Sequence, residues 1–181
     1  MSHRIPEGSL LHGVDRAGFE HNLKHGFVPI TPYNGDRQSI CFSMIWNKGI
    51  HDLISDYLPS SGATQYEKYA FGILPETVEC LDQQVVAVGY NFADRFRDFL
   101  YPNLSSKIVL DIQHSTCNEE VRLYRPLAID VCDFVLVATE KYEKRAMSLL
   151  EAHGHEISVI QVASIEEEPE YKRFHKITET L

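Results

Sequence analysis

Residues 8–27 decide the fold, and they read GSLLHGVDRAGFEHNLKHGF. The run SLLHGV has the length of a short strand, and it ends in a His-Gly pair that does not favour continuation of a strand. Asp15 then supplies a side-chain oxygen that can cap a helix. Phe19 and Leu23 lie one turn apart on the same helical face, and Gly26 stops the helix. The stretch therefore predicts a strand that passes directly into an amphipathic helix.

Strand and helix patterns alternate irregularly along the rest of the chain. Apolar runs of strand length are SICFSMIW, KYAFGILP, QVVAVGY, SKIVLDIQH, EVRLYRP, CDFVLVAT and EISVIQVA. Helical spacing is clearest in EKYEKRAMSLLEAHG and is also present in NKGIHDLISDYL and FADRFRDFLY. The segment VPITPYNGD carries two prolines and Asn-Gly, which predict a loop. The pattern as a whole predicts an α+β fold with about six to eight short strands and about three to five helices.

Length and charge restrict the class of protein. A chain of 181 residues can bury one full core, so we expect a single domain over residues 1–181, with a charged C-terminal tail from about residue 164. The net charge of -9 disfavours nucleic acid as a partner without excluding a local basic groove. No apolar run has the length of a membrane span or of a secretory signal, so we expect no membrane partner. These features predict a cytoplasmic protein, or a secreted effector that acts in a host cytosol.

Cysteine and histidine spacing gives no metal-binding pattern. The four cysteines are scattered without a C-x-x-C spacing, which favours buried thiols over disulfides or a thiolate metal site. His21 and His25 lie one helical turn apart, but no third ligand is near them in the sequence. We therefore predict that the protein has no metal site.

The His12-Gly13 pair has the chemistry of a ligand contact. Because Gly13 has no Cβ, its backbone can approach a planar ligand closely, and the neighbouring imidazole of His12 can hydrogen-bond a ribose hydroxyl. Taken alone, the pair more often indicates a turn that packs the His12 ring under the following helix. Its interpretation therefore depends on the rest of the chain.

Three blocks resemble the ADP-ribosyltransferase superfamily in order and spacing. LLHGVDRAGFEHNLKHGFVP is similar to the opening of that family, in which a strand ending in His-Gly precedes a helix. DRQSICFS resembles its second block, and CNEEVRLYRP resembles its third, in which an acidic residue starts a late strand. The resemblance covers about residues 9–140 and is strongest to the toxin-type members that modify DNA bases. It implies a split β-sheet core with N-terminal helices, and NAD as a substrate.

The resemblance also implies roles for individual residues. It implies that the His12 side chain contacts the adenosine ribose of NAD and that the Gly13 backbone holds the nicotinamide carboxamide. A guanidinium such as that of Arg37 suits a pyrophosphate, because it forks onto phosphate oxygens and keeps its charge. The complete set of expected NAD contacts is His12, Gly13, Asn22, Arg37, Phe42 and Ser43.

The candidate catalytic residue is Glu120, with Glu119 as its rival. Cleavage of the bond between nicotinamide and ribose passes through an oxocarbenium-like transition state, which a nearby carboxylate stabilises. Strand alternation puts Glu120 on the same side as Arg122, whereas Glu119 shares its side with apolar Val121. A cleft carboxylate belongs with polar neighbours, so alternation favours Glu120. Asn118 stands where arginine-modifying members carry Glu, which argues against an arginine acceptor.

The implied function is transfer of ADP-ribose from NAD to a macromolecular acceptor, either protein or nucleic acid, with release of nicotinamide. An NAD glycohydrolase would use the same residues with water as the acceptor. A third alternative is a non-catalytic module that keeps the fold and binds a protein partner.

Overall fold

The computed structural model describes residues 4–6, 8–33, 37–45, 69–88, 107–111 and 120–165. The helices are α1 (Arg16–His25), α2 (Pro75–Cys80) and α3 (Glu140–His153), with 3-10 turns at Ile129–Val131 and Val162–Ser164. The strands are β1 (Leu10–Val14), β2 (Phe27–Val28), β3 (Thr31–Tyr33), β4 (Arg37–Met44), β5 (Tyr69–Ile73), β6 (Val85–Val88), β7 (Ile108–Asp111), β8 (Glu120–Leu123), β9 (Leu127–Ala128), β10 (Phe134–Val137) and β11 (Ser158–Gln161).

A mixed sheet of nine strands forms the centre of the described structure. Its order is β11-β10-β5-β1-β4-β8-β6-β7, with β3 paired to β4 beside this path, while β2 and β9 form a separate pair. The pairs β10–β11 and β6–β7 are parallel, and the other strand pairs are antiparallel. Helix α3 makes the crossover between β10 and β11. The predicted α+β class is confirmed.

The sheet divides between β1 and β4. Strand β1 pairs with β5 along its whole length, from Leu10 to Val14. Its register with β4 covers Leu10 opposite Met44 and Leu11 opposite Ser43. On its other side β4 pairs with β8. Two half-sheets are therefore joined at Leu10 and Leu11 and part beyond them, which confirms the predicted split sheet.

Helix α1 forms where the sequence predicts it and packs on one face of the sheet. The Asp15 side chain accepts a hydrogen bond from the Gly18 backbone at 2.7 Å, and Gly26 ends the helix in the left-handed conformation at φ 75°. The Phe19 ring is fully buried and stacks on Tyr69 of β5 with centroids 4.4 Å apart. Burial of this aromatic pair holds α1 against β5, next to the end of β1.

His155 ties three elements together just after α3. Its Nδ1 bonds the Asp130 carboxylate at 2.7 Å, and its Nε2 bonds the Leu23 carbonyl of α1 at 2.9 Å. Burial disfavours the charged ring, but the hydrogen bonds to Asp130 and Leu23 outweigh burial and raise the pKa of His155. Both partners are acceptors, so only the doubly protonated ring satisfies both contacts. His155 is therefore a cross-link between elements and not merely a cap of its own helix.

We predict that replacing His155 with Gln lowers the free energy of unfolding by about 1–2 kcal/mol near pH 6. Because the folded pKa lies above the unfolded value of 6.5, the contribution of His155 is complete below pH 6.5 and is lost as the pH rises through the folded pKa. The difference between wild type and variant, measured by urea unfolding, should therefore shrink from pH 6 to pH 8. His153→Gln, an exposed change on the same helix, is the matched control. A difference that is constant with pH would contradict the charged cross-link.

Two local predictions were wrong. Residues 31–33 were expected in a loop but form β3, because Thr31, Pro32 and Tyr33 pair with β4 at the side of the main sheet, where a proline is tolerated. Helix α2 was not expected. Its N-terminal end is anchored to a distant residue, Asp133, whose carboxylate accepts from Leu74 N and from the Thr77 hydroxyl at 2.7 and 2.8 Å. This anchor lies 59 positions from Leu74 and has no local signal, although Pro75 and Glu76 in the first turn are typical of a helix start.

The predicted numbers and positions of strands and helices can be compared with the structure over the described residues. The described part of the chain contains eleven strands and three α-helices, and the strands outnumber the prediction because the short strands β2, β3 and β9 were not expected. Strands were expected in SICFSMIW, KYAFGILP, QVVAVGY, SKIVLDIQH, EVRLYRP, CDFVLVAT and EISVIQVA, and each of these segments contains one. The helices expected in NKGIHDLISDYL and FADRFRDFLY, and the tail beyond residue 165, lie outside the described residues. None of the helices in the described ranges is long and apolar enough to cross a membrane.

Candidate active site

His12 lies in β1 at the point where β1 and β4 part. Its Nδ1 bonds the Cys41 carbonyl oxygen of β4 across the gap, at 2.7 Å. Its ring also contacts the buried Phe42 ring, with centroids 5.5 Å apart. These two contacts fix the imidazole at the start of the split.

The protonation of His12 follows from its surroundings. Burial lowers the pKa of His12, and the hydrogen bond to Cys41 offsets this only in part, so the ring is neutral at pH 7. A carbonyl oxygen only accepts, so Nδ1 carries the proton. Nε2 is then the unprotonated nitrogen of the neutral ring. The geometry therefore provides a hydrogen-bond acceptor at the split, of the kind that suits a sugar hydroxyl.

Gly13 follows on the same strand, opposite Ala70 of β5. On the β4 side, the register that joins the two strands ends at Leu11. Backbone N–H and C=O groups of a strand edge that has no neighbouring strand can pair with a ligand amide. Within the described residues, the β1 edge on the β4 side is therefore unpaired from His12 to Val14, in the position where a carboxamide contact was expected.

Glu120 begins β8 and pairs with Arg122 of the same strand. The Arg122 Nε and Nη2 atoms both donate to Glu120 Oε2, at 3.2 and 3.1 Å. The two side chains are only 12% and 11% exposed, so the pair is largely removed from water. Both bonds end on Oε2, which leaves Oε1 directed away from this guanidinium. The arrangement holds a carboxylate in one orientation with one oxygen committed to Arg122.

A row of polar side chains lies beside this pair, on the neighbouring strand β4. Ser39, Cys41 and Ser43 alternate along β4 on the face that carries Glu120 and Arg122, and Ser39 is 1% exposed. Burial raises the pKa of the Cys41 thiol, which also lies beside the Glu120 carboxylate. Cys41 is therefore a neutral thiol that packs against the carboxylate, and it is not an activated nucleophile.

Cys41 lies between His12 and Glu120. Its backbone carbonyl bonds the imidazole, and its side chain contacts the carboxylate. The register puts His12 on the face of Phe42 and Glu120 on the face of Ser43, so the two side chains start on opposite faces of the sheet. A ligand that contacts both must therefore enter the gap between β1 and β4, and it cannot lie flat on one face.

The remaining predicted NAD contacts have different surroundings. Phe42 is 1% exposed and supports the His12 ring, and Ser43 is 9% exposed opposite Leu11. Asn22 is 3% exposed among the residues by which α1 packs, a position that favours a packing role over contact with a dinucleotide. Arg37 begins β4, opposite Tyr33 of β3. Glu119 lies outside the described residues.

Arg122 and Cys41 are site residues that sequence reasoning did not assign. The i, i+2 spacing of Glu120 and Arg122 predicted that both lie on one face of the strand. It did not predict the ion pair that they form. The contacts of Cys41 depend on the strand register across β1, β4 and β8, and no local pattern reports that register. Within the described ranges, no cluster of three His, Cys, Asp or Glu side chains could hold a metal ion.

The cysteines match the sequence interpretation in part. Cys41, Cys80 and Cys132 are free thiols, and burial raises the pKa of Cys132 to about 12. The expectation of buried thiols was wrong for Cys80, which is exposed because it ends the short helix α2 at the surface. Cys117 lies outside the described residues.

Comparisons with solved structures identify similar folds. A structure titled Thermus sp. 2.9 DarT in complex with ADP-ribosylated ssDNA aligns with a TM-score of 0.55 and 8% identity, over 89% of this chain and 97% of that one. A second DarT structure from Thermus sp. 2.9, in complex with carba-NAD+, aligns with a TM-score of 0.54 and 7% identity, over 86% and 95% of the two chains. No family model matches the sequence, and no curated protein does either.

These similarities concern the fold. DarT proteins are ADP-ribosyltransferases, and the mixed sheet with few helices matches their architecture over nearly the whole of both chains. The predicted ADP-ribosyltransferase-like fold is therefore confirmed. At 7–8% identity the alignment does not carry over a substrate or a catalytic residue.

Proposed function

We propose that this protein is an NAD-dependent ADP-ribosyltransferase that transfers ADP-ribose to a macromolecular acceptor and releases nicotinamide. The observation that carries the proposal is the meeting of a neutral imidazole and an ion-paired carboxylate on Cys41, at the split of the sheet. The likeness to DarT structures supports it, because one of those proteins holds carba-NAD+.

Each residue of the split has a defined part in this reaction. His12 Nε2 accepts a hydrogen bond from a ribose hydroxyl, and the β1 edge at Gly13 pairs with the carboxamide. Glu120 stabilises the positive charge that develops on the ribose as the bond to nicotinamide breaks and its electron pair leaves with the nicotinamide. The acceptor atom then bonds the same ribose carbon and gives up its proton to the Glu120 carboxylate or to water.

Arg122 has two effects on Glu120. Its two N–H groups hold Oε2 in place, so that Oε1 is the oxygen directed to the ribose. The guanidinium also weakens the negative potential of the carboxylate, which lessens the attraction for an oxocarbenium ion. The Glu120–Arg122 pair therefore stabilises the oxocarbenium ion less than a free carboxylate would, but it holds the carboxylate in one orientation.

Nucleic acid is the acceptor class to test first. One similar protein is in complex with ADP-ribosylated ssDNA, so the expectation from net charge that nucleic acid is disfavoured is not supported by this comparison. Net charge is a sum over the whole surface and does not exclude a local basic site.

The test is a nicotinamide-release assay, with NAD supplied alone, with single-stranded DNA and with a protein mixture. We expect release to accelerate with the true acceptor, which should gain the mass of one ADP-ribose. Free ADP-ribose with every acceptor would indicate the glycohydrolase. No release and no thermal shift with NAD would contradict the proposal and favour the non-catalytic module.

A further inference from the structure

A basic cavity lies on the helix side of the sheet, beyond the C-terminal end of β1. It has a volume of about 1020 Å³ and is lined by Arg16 of α1, by Lys141, Lys144 and Arg145 of α3, and by Tyr69 of β5. Tyr69 is opposite Val14 in register, and Val14 follows Gly13 in β1. The cavity is thus next to the split of the sheet without being part of it.

The carboxylates at this site do not balance its positive charge. Glu20 accepts from Arg16 at 3.3 Å and from Arg145 at 2.6 Å, so two guanidiniums from different helices converge on one oxygen. Glu140 pairs with Lys144 at 2.6 Å. Four cations therefore face two carboxylates, within a chain whose net charge is -9. A local excess of positive charge in an acidic protein attracts an anion to this site.

The Tyr69 hydroxyl points to a ligand at this cavity independently of the charge. Tyr69 is fully buried, and its hydroxyl is the one buried side-chain N or O atom without a hydrogen-bond partner in the described part of the chain. Burial raises the pKa of Tyr69, and the nearby charges of Arg145 and Arg16 oppose that rise only in part, so the group stays a protonated donor. A buried hydroxyl without a partner destabilises the free protein, and a ligand that accepts its hydrogen bond would remove this cost.

The hydroxyl and the two guanidiniums define the ligand. They are all donors, and a ligand that satisfies them must present several acceptor oxygens with negative charge. Phosphate has this chemistry, and the cavity is much larger than a single ion requires. Its place beside the end of β1 suits a long ligand that passes the split of the sheet.

We propose that the basic cavity binds backbone phosphates of a single-stranded nucleic-acid acceptor, with the Tyr69 hydroxyl donating to a phosphate oxygen between Arg16 and Arg145. The proposal rests on the proposed function for the identity of the acceptor. It requires only that a strand binds, however, and binding can be measured without NAD and without turnover.

The sharpest variant is Tyr69→Phe, which removes the hydroxyl and keeps the ring that stacks on Phe19. We expect the free protein to unfold at the same temperature or a higher one, because an unsatisfied buried group is lost. We expect affinity for a fluorescein-labelled single-stranded DNA of about 12 nucleotides to fall by about tenfold, measured by anisotropy. Loss of affinity without loss of stability separates a binding role from a structural one.

Charge is tested with Lys141→Gln and with Lys24→Gln, an exposed lysine of α1 that does not line the cavity. The slope of log affinity against log salt should fall by about 0.7 for Lys141→Gln and stay unchanged for the control. Strand affinity equal to wild type in both Tyr69→Phe and Lys141→Gln would overturn the proposal. The proposal would also be overturned if these two variants lost affinity for NAD but kept affinity for the strand. The cavity would then bind the phosphates of the dinucleotide.

Discussion

Replacement of Glu120 with Gln is expected to slow nicotinamide release from NAD by about two to three orders of magnitude. Gln keeps the shape of the side chain, and its amide oxygen can still accept from Arg122, so the orientation seen in the ion pair is preserved. What is lost is the negative charge that stabilises the oxocarbenium-like transition state. The effect should therefore appear in kcat, with a much smaller change in the affinity for NAD.

Two controls make this result specific to Glu120. Glu151→Gln, an exposed position on α3, makes the same chemical change away from the split and should leave nicotinamide release unchanged. A thermal melt of Glu120→Gln should show a folded protein. Release at the wild-type rate in a folded Glu120→Gln variant would rule out Glu120 as the catalytic carboxylate and move attention to Glu119.

Replacement of Gly72 with Ala is expected to have the largest effect on stability, about 3 kcal/mol or more. Gly72 lies in the middle of β5, and a Cβ at this position would come within 2.1 to 2.5 Å of three ring atoms of Phe134 on β10. Phe134 is 3% exposed and has no open space to move into without repacking its neighbours. The expected result is a marked decrease in the midpoint of urea unfolding.

The source of this cost can be tested with a second substitution. In a Phe134→Leu background the ring is absent, so adding the Gly72→Ala change should cost much less than it does in wild type. An equal cost in both backgrounds would show that the clash with Phe134 is not the reason, and that the β5 backbone itself requires glycine.

The strand-and-helix opening of the fold could be predicted because its signals are local. Asp15 and Gly26 cap α1 through their own neighbours in sequence, and the apolar spacing of Phe19 and Leu23 marks the buried face. Alternation along β8 likewise separated Glu120 from Val121, and Val121 is fully buried as expected. These features depend on residues within a few positions of each other.

The rest of the site depends on pairings that no local pattern reports. The Cys41 carbonyl receives its bond from His12, 29 positions away, because β4 lies next to β1 in the sheet. The contact of Asp133 with Leu74 and the unsatisfied Tyr69 hydroxyl likewise arise from elements that are distant in sequence. A sequence shows which residue types are present, whereas the register between strands decides which of them meet.

The most direct measurement is a crystal structure of the protein in complex with a non-hydrolysable NAD analogue such as carba-NAD+. We predict that the dinucleotide enters the gap between β1 and β4, with a ribose hydroxyl within hydrogen-bond distance of His12 Nε2. Glu120 Oε1 should then face the ribose that carries nicotinamide. An analogue bound elsewhere, with no ribose hydroxyl near His12 Nε2 and no ribose facing Glu120 Oε1, would contradict the account.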